Sequence, residues 1–507
     1  MQHSDACGSR LLPSAYDDEI NALVASITRR RPNPREVSIF LLSSHHTIGS
    51  HANSMLMQFG QKSHLCQFVS HDITKNALSP MCTCQTGGPM CANVLMPPND
   101  GRARSCIPFT RSFQVCGTGI PGRPREQYNE NTAYIDGSLV YSSEAITLRS
   151  LRIGAMLRTN IVNGRVFPPN NGRDSMTAGD SRATIFLGLA AMHTTFLRLH
   201  NNLAAALMNM NRHWNQDRVF QETRKIVGSI IQVITYQEFL PALIGPFHAR
   251  LVPPYRKSDA VKTPSRGTNH LYCTSLSTIC CLQASLILSN LYDANVNPAV
   301  INEFAGAAYR LHGMIQETYP LIGSNFESRG QVPFLNGVGR IEQVLATIDA
   351  VYRGFIATPA RNPQRITTSV TEQLFSGDGD MATFNIQRGR DHGFRSYNEY
   401  RKLCQLKPVK SFEEWPEVSD SAVQNRIAQL YQTPDDLDLY VGGIIEEPID
   451  GSAVGPTFAC IIAEQFVRLR DGDSMTRIVP SAFTIDRGQQ AVPCSSIVGL
   501  DLSAWKD

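Results

Sequence analysis

Ala183-Thr-Ile-Phe-Leu-Gly-Leu-Ala-Ala-Met-His193, resumed at Leu203-Ala-Ala-Ala-Leu-Met208, decides the fold class. Its alanines and leucines are strong helix formers, and its near-continuous apolarity predicts a buried helix. Such a helix needs other elements to cover it. The same reading predicts helices over 222–244, 298–319, 340–356, 422–431 and 456–470, with a helical pattern from Asn53. There is no run of alternating strands and no internal repeat. The fold class is mainly α.

The 507 residues carry 47 basic and 44 acidic side chains, a net charge of +3. That leaves no basic field for nucleic acid. No stretch reaches the roughly 18 uninterrupted apolar residues of a membrane span. A prior of about 150 residues per domain suggests roughly three domains, but one large helical domain absorbs this length. The 13 cysteines are too sparse for a miniature disulfide scaffold and too many for an ordinary cytosolic enzyme. A compartment that permits disulfides is therefore expected, with at least one thiol left over from the odd count. The start, Met1 to Cys7, has neither the charged nor the apolar region of a secretory signal, so a mature fragment or an incomplete start is expected. Residues 76–130 hold five cysteines among prolines and glycines and read as a stapled, loop-rich segment. Residues 256–291, ending near adjacent Cys280 and Cys281, read as a surface insertion.

Five groups of residues could carry chemistry. Gln67 and His71 share one helical face, where a histidine beside a hydrogen-bonding glutamine suits a proton shuttle and equally an ordinary polar surface. Asp72 follows and points elsewhere. Thr132, Tyr134, Asp136 and Ser138 alternate, so an extended chain aims them to one side. Two hydroxyls, a carboxylate and a backbone carbonyl at Tyr134 are hard oxygen donors of the kind Ca²⁺ takes, and Asp72 would add another. The plain alternative is the polar face of a half-exposed strand. Arg182 lies in Asp180-Ser-Arg182 before the long apolar helix, and His312, among Leu311, Met314 and Ile315, faces a core as a structural residue or a ligand. Asn385-Ile-Gln-Arg388-Gly-Arg-Asp391-His392-Gly is a dense polar run that also suits a solvated loop. The Gly-x-Gly-x-x-Gly at 117–122 contains Pro121 and lacks a strong preceding strand and a following helix, so a dinucleotide site is excluded.

Taken together these segments resemble the animal haem peroxidase family. The matches include Arg10-Leu-Leu-Pro-Ser-Ala-Tyr, Phe68-Val-Ser-His-Asp, Cys106-Ile-Pro-Phe-Thr-Arg-Ser, Ala178-Gly-Asp-Ser-Arg, Asp438-Leu-Tyr-Val-Gly-Gly and Gly455-Pro-Thr-Phe-Ala-Cys-Ile-Ile. The resemblance runs nearly end to end and implies one haem peroxidase domain over 1–507. His312 would be the proximal iron ligand, Asn385 its hydrogen-bond acceptor, and Arg388 the partner of a haem propionate. His71 would be the distal base, with Gln67 beside it and Arg182 across the pocket. Asp72, Thr132, Tyr134, Asp136 and Ser138 would hold one Ca²⁺. The implied reaction uses H₂O₂ to oxidise halide, thiocyanate, or a phenol such as tyrosine, in an extracellular setting such as matrix or cuticle. Cys106 with Cys116, and Cys404 with Cys460, are the disulfides it implies.

The chain departs from the family in several places. The family's haem-linking carboxylates correspond here to Ser70 and Ile185, so haem b is expected to bind without covalent bonds. The usual Arg-x-x-His is one residue short at Arg310-Leu-His312, about 100° of helix, so a local bulge is expected. Residues 62–67 lengthen the approach to His71 and make His64 a rival base. Segment 256–291 and the tail from 474 also fit poorly. A degenerate domain with a structural or adhesion role is the rival reading, and a cyclooxygenase-like oxygenase a third.

Overall fold

The computed structural model describes residues 9–43 apart from 26 and 29, 60–76, 82–245 apart from 103, 248, and 293–473. Its principal helices are α1 (Gly60–Ile73), α2 (Ser138–Tyr141), α3 (Leu187–Met210), α4 (Gln216–Ile234), α5 (Glu342–Ala357), α6 (Met381–Asp391), α7 (Ser421–Leu430), α8 (Leu439–Ile445) and α9 (Pro456–Asp471). Among the described residues the strands form only two-stranded antiparallel sheets. The mainly α expectation is met.

α3 is the apolar helix read from the sequence, and its 24 residues span about 36 Å. It packs against α1, α4 and α5. Phe196 of α3 stacks on Phe68 of α1 with ring centroids 4.9 Å apart, and His193 meets the same ring edge-on at 5.3 Å. Phe68 is fully buried, which stabilises the fold by about 2–3 kcal/mol. Tyr352 of α5 shares a 2.6 Å hydrogen bond with Thr195 of α3. One contiguous apolar core extends from Val37 to Leu469.

Caps set where helices begin. The Asn215 side chain accepts the Arg218 N–H at 2.8 Å and starts α4, which continues through a π-helical turn, Thr235–Phe239, to Ile244. Asp380 accepts the Thr383 N–H at 3.0 Å to start α6, and it pairs with buried Arg35 at 2.6 Å. The polar run from Asn385 to Asp391 is therefore a buried helix and not a solvated loop. Residues 62–67 fall within continuous α1. Residues 1–8, segment 256–291 and the tail from 474 lie outside the described residues, as does the side chain of His64.

Two expectations are corrected. The helix over 298–319 is interrupted: Phe304–Ala308 is a π-helical turn, His312–Met314 a single 3₁₀ turn, and Thr318–Ile322 a strand paired with Ser328–Pro333. Between them Leu311 takes φ −88°, ψ 46°, which is not helical. This is the local bulge that the shortened Arg310-Leu-His312 requires. A side chain at Gly313 would run into the Pro363 carbonyl, so the chain turns closely there. The apolar residues that suggested a helix are buried regardless of backbone path. Second, Cys106 pairs with Cys84 and Cys82 with Cys91, while Cys116 is free and exposed. Cys106 lies in a strand paired with Val94–Leu95, and Cys116 lies beyond it in a turn. Cys404 pairs with Cys460 as expected.

His200 of α3 is buried, with the Tyr141 hydroxyl 2.8 Å from Nδ1 and the Ala155 carbonyl 3.1 Å from Nε2. Nε2–H therefore donates to the carbonyl and Nδ1 accepts from the tyrosine. Burial lowers its pKa from 6.5 to about 4. The unfolded chain binds this proton near pH 6.5 and the native chain does not, so the contribution is full above that pH and is lost as pH falls towards 4. The predicted loss is about 2 kcal/mol between about pH 7 and pH 5. Urea unfolding of His200→Gln should show a pH dependence flatter by that amount; an unchanged slope would contradict it.

Candidate active site

α1 brings Gln67 and His71 to one wall of a cleft. Arg182 and Phe186 line it from the segment entering α3, and Arg310, Leu311 and His312 from the interrupted helix. Tyr319 and Phe334, from the strand after His312 and the turn after its partner, complete an aromatic wall with Phe186, whose ring lies 5.1 Å and 5.2 Å from theirs.

The His71 carbonyl accepts hydrogen bonds from the Asn131 amide and, at 3.2 Å, from Arg182. Its ring Nδ1 is buried and has no partner among the described residues. Removal from water, then the Arg182 charge, hold its pKa well below the ordinary histidine range, so the ring is neutral. Arg182 is fixed by Asp180, which it grips through Nε at 2.9 Å and a terminal nitrogen at 2.6 Å. Burial would raise Asp180, but the guanidinium outweighs it and holds the carboxyl below the usual range. Neither Asn131 nor Asp180 was singled out in the sequence as acting on the site. Their positions, one before Thr132 and two before Arg182, were the available signal.

Across the cleft, His312 Nδ1 lies 3.0 Å from the side-chain amide of Asn385. Turned to present its oxygen, that amide accepts the Nδ1–H and leaves Nε2 with a free lone pair. Burial, then Arg310, lower the His312 pKa to about 3, so the imidazole stays neutral. Arg388 pairs with Asp391 at 3.0 Å and with Ser112 at 2.9 Å, over the ring of Phe109. The cationic side chain that lines the cleft on this side is Arg310. It donates to the Ala305 carbonyl at 2.7 Å and has no carboxylate partner among the described residues. Burial, then Arg388 and Arg182, lower it to about 10. An anionic ligand in the cleft would match that charge, and the two propionates of a haem are such a ligand. The residues fit the group.

The oxygen cluster also assembles. Asp72 is fully buried and accepts from the N–H groups of Gly137 at 3.1 Å and Leu139 at 3.2 Å, and from the Ser138 hydroxyl at 3.0 Å. The Thr132 hydroxyl lies 3.2 Å from Asp136 and 3.3 Å from Ser138. Tyr134 lies between them on the same loop. Burial, and then neighbouring Asp136, push Asp72 up to about 8, and a divalent cation among these oxygens would reverse that preference. Gly137, at φ 74°, allows the tight turn that points its N–H at Asp72. Gly179 lets the Asp180-Ser-Arg182 segment lie against α2, because a Cβ there would meet the Ser142 nitrogen and, at 2.6 Å, the Ser138 carbonyl. At the two positions where the family carries haem-linking acids, Ser70 lines the cleft and Ile185 is 41% exposed.

Two neutral imidazoles thus line one cleft, His312 beside an asparagine and His71 beside an arginine. The animal haem peroxidase model matches residues 3–486, and the chain belongs to that family. It is similar to peroxidase skpo-1 of Caenorhabditis elegans, 55% identical over 98% of this chain and 75% of that protein. Thyroid peroxidase of Sus scrofa is 31% identical over 99% of this chain and 61% of its own length. Among solved structures, peroxidase A from Dictyostelium discoideum superposes with a TM-score of 0.75 at 25% identity, covering 92% of this chain and 88% of that one. A fatty acid alpha-dioxygenase from Arabidopsis thaliana, at 16% identity and a TM-score of 0.69, shares the fold. The chain is accordingly an enzyme of the peroxidase class.

Gly179→Ala should separate the Arg182 segment from α2, because backbone atoms cannot yield as a side-chain tip can. The expected cost is about 2–3 kcal/mol, read as a lower melting temperature; a variant as stable as wild type would contradict this close approach.

Proposed function

We propose that this peroxidase reduces H₂O₂ and oxidises small donors, with phenols and the tyrosyl groups of extracellular proteins ahead of halide or thiocyanate. The observation that carries the reading is His71 and His312 facing one cleft, with Arg182 beside the first and Asn385 behind the second. His312 would ligate haem iron, Asn385 would fix its tautomer, and Arg310, with Arg388 behind it, would hold the propionates. Ser70 and Ile185 cannot form esters, so haem b would bind non-covalently. Bound haem supplies the redox chemistry that divides the O–O bond and passes oxidising equivalents to the donor.

The side chains do the rest. Neutral His71 takes a proton from one peroxide oxygen and delivers it to the other, so that water can leave. Arg182, held by Asp180, stabilises negative charge developing on the departing oxygen. Gln67, in the same wall, would orient water or peroxide. Asp72, Thr132, the Tyr134 carbonyl, Asp136 and Ser138 would bind Ca²⁺ and keep the end of α1 in position. The missing esters favour easily oxidised phenols over chloride, and the Phe186, Tyr319 and Phe334 wall suits an aromatic donor. The disulfides Cys82–Cys91, Cys84–Cys106 and Cys404–Cys460 suit an oxidising extracellular compartment, where tyrosyl oxidation would cross-link matrix or cuticle.

The purified chain loaded with haem should show a Soret band, release haem on acidic organic extraction, and turn over guaiacol with peroxide. His71→Ala should lower turnover by roughly 10²–10⁴-fold, and His312→Ala should change the Soret band and abolish turnover. Full turnover in His312→Ala would overturn the proximal assignment, and a folded chain that takes up no haem would favour a purely structural role. Calcium removal by a chelator should lower the melting temperature of wild type and have little effect on Asp72→Asn, already destabilised; equal sensitivity of the two would remove Asp72 from the ion site.

A further inference from the structure

Cys66 and Tyr309 are unused by the reaction above, yet both line the cleft. Cys66 lies on α1, five residues before His71, and is buried with no disulfide partner. Tyr309 comes from the interrupted segment, three residues before His312. Its ring is stacked on Phe304 at 4.5 Å and flanked by Phe239 at 6.3 Å and Phe466 at 6.0 Å, so it is held in one orientation. Its hydroxyl is buried and finds no geometrically sound hydrogen bond among the described residues. The neighbour it meets is the Cys66 thiol. Sulfur is a weak acceptor and a weak donor, so the contact leaves a buried phenol poorly satisfied, an arrangement that costs stability and calls for an explanation.

We propose that Cys66 and Tyr309 become joined by a thioether during peroxide turnover, Sγ bonding to the ring carbon next to the one that bears the hydroxyl. The S–H bond of Cys66 and one ring C–H bond of Tyr309 break, and one C–S bond forms. Two electrons and two protons leave the pair; one H₂O₂ accepts them and becomes two waters. The phenol is the kind of donor that a peroxidase oxidises, and here it is fixed in the wall of the reaction cleft. Burial raises the thiol to about 12, so no thiolate is available for direct attack on peroxide, and the usual route to sulfenic acid is closed. The thiol remains intact beside an oxidisable ring. The bond would tie α1, which carries His71, to the segment that carries His312.

The inference rests on the peroxidase reading for its oxidant alone, and one preparation tests both. Haem-loaded protein is treated with stoichiometric H₂O₂, denatured, alkylated, and examined by intact and peptide mass spectrometry, with guaiacol turnover measured on the same sample. The expected result is a chain lighter by two hydrogens, one alkylatable thiol fewer, and a linked peptide pair containing Cys66 and Tyr309. Cys66→Ser and Tyr309→Phe should each abolish that mass loss, with folding checked by circular dichroism. Turnover with no mass loss, or oxygen atoms added at Cys66, overturns the cross-link and leaves the peroxidase reading standing. Neither turnover nor mass loss overturns both, because the link has no other oxidant.

Discussion

A carboxylate cannot be buried without partners, and the His71 wall of the cleft is organised around that constraint. Asp72 is fully buried one residue after His71. Its oxygens collect the N–H groups of Gly137 and Leu139 and the hydroxyl of Ser138. Doing so draws the 132–138 loop onto the end of α1. The same loop sends Asn131 to the His71 carbonyl, and Gly179 lets the Arg182 segment lie against α2. One buried carboxyl group thus sets the relative positions of helix, loop and arginine.

On both walls a second governing effect is desolvation of nitrogen bases. His312 and His71 are both kept neutral by removal from water, with cationic arginines beside them. The arrangement accumulates positive charge at Arg182, Arg310 and Arg388, of which Arg182 and Arg388 have carboxylate partners and Arg310 has none among the described residues. A site poised this way favours an anionic guest and unprotonated ligands together.

Much of this was legible in the sequence. Continuous apolarity marked α3, but the two-residue spacing at 132–138 predicted an extended chain, whereas Gly137 is left-handed and Ser138 begins α2, so hydrogen bonds and not strand alternation gather Thr132, Asp136 and Ser138. The pairing of His71 with Gln67 followed from helical periodicity. What stayed hidden depends on tertiary contact. The 304–314 segment is buried whatever its backbone path, so apolar spacing could not reveal a π-helical turn and a 3₁₀ turn. Cys106 pairs with Cys84 and not with Cys116, a choice that separation along the chain does not make. The polar run at 385–391 looked solvated because its partners, Arg111, Ser112 and Asp438, come from distant parts of the chain.

His71 is held through its peptide carbonyl, by Asn131 and Arg182, while its Nδ1 engages nothing among the described residues. Here the anchoring and the titrating atoms are different parts of the same residue. The ring can therefore gain and lose a proton with its mounting undisturbed.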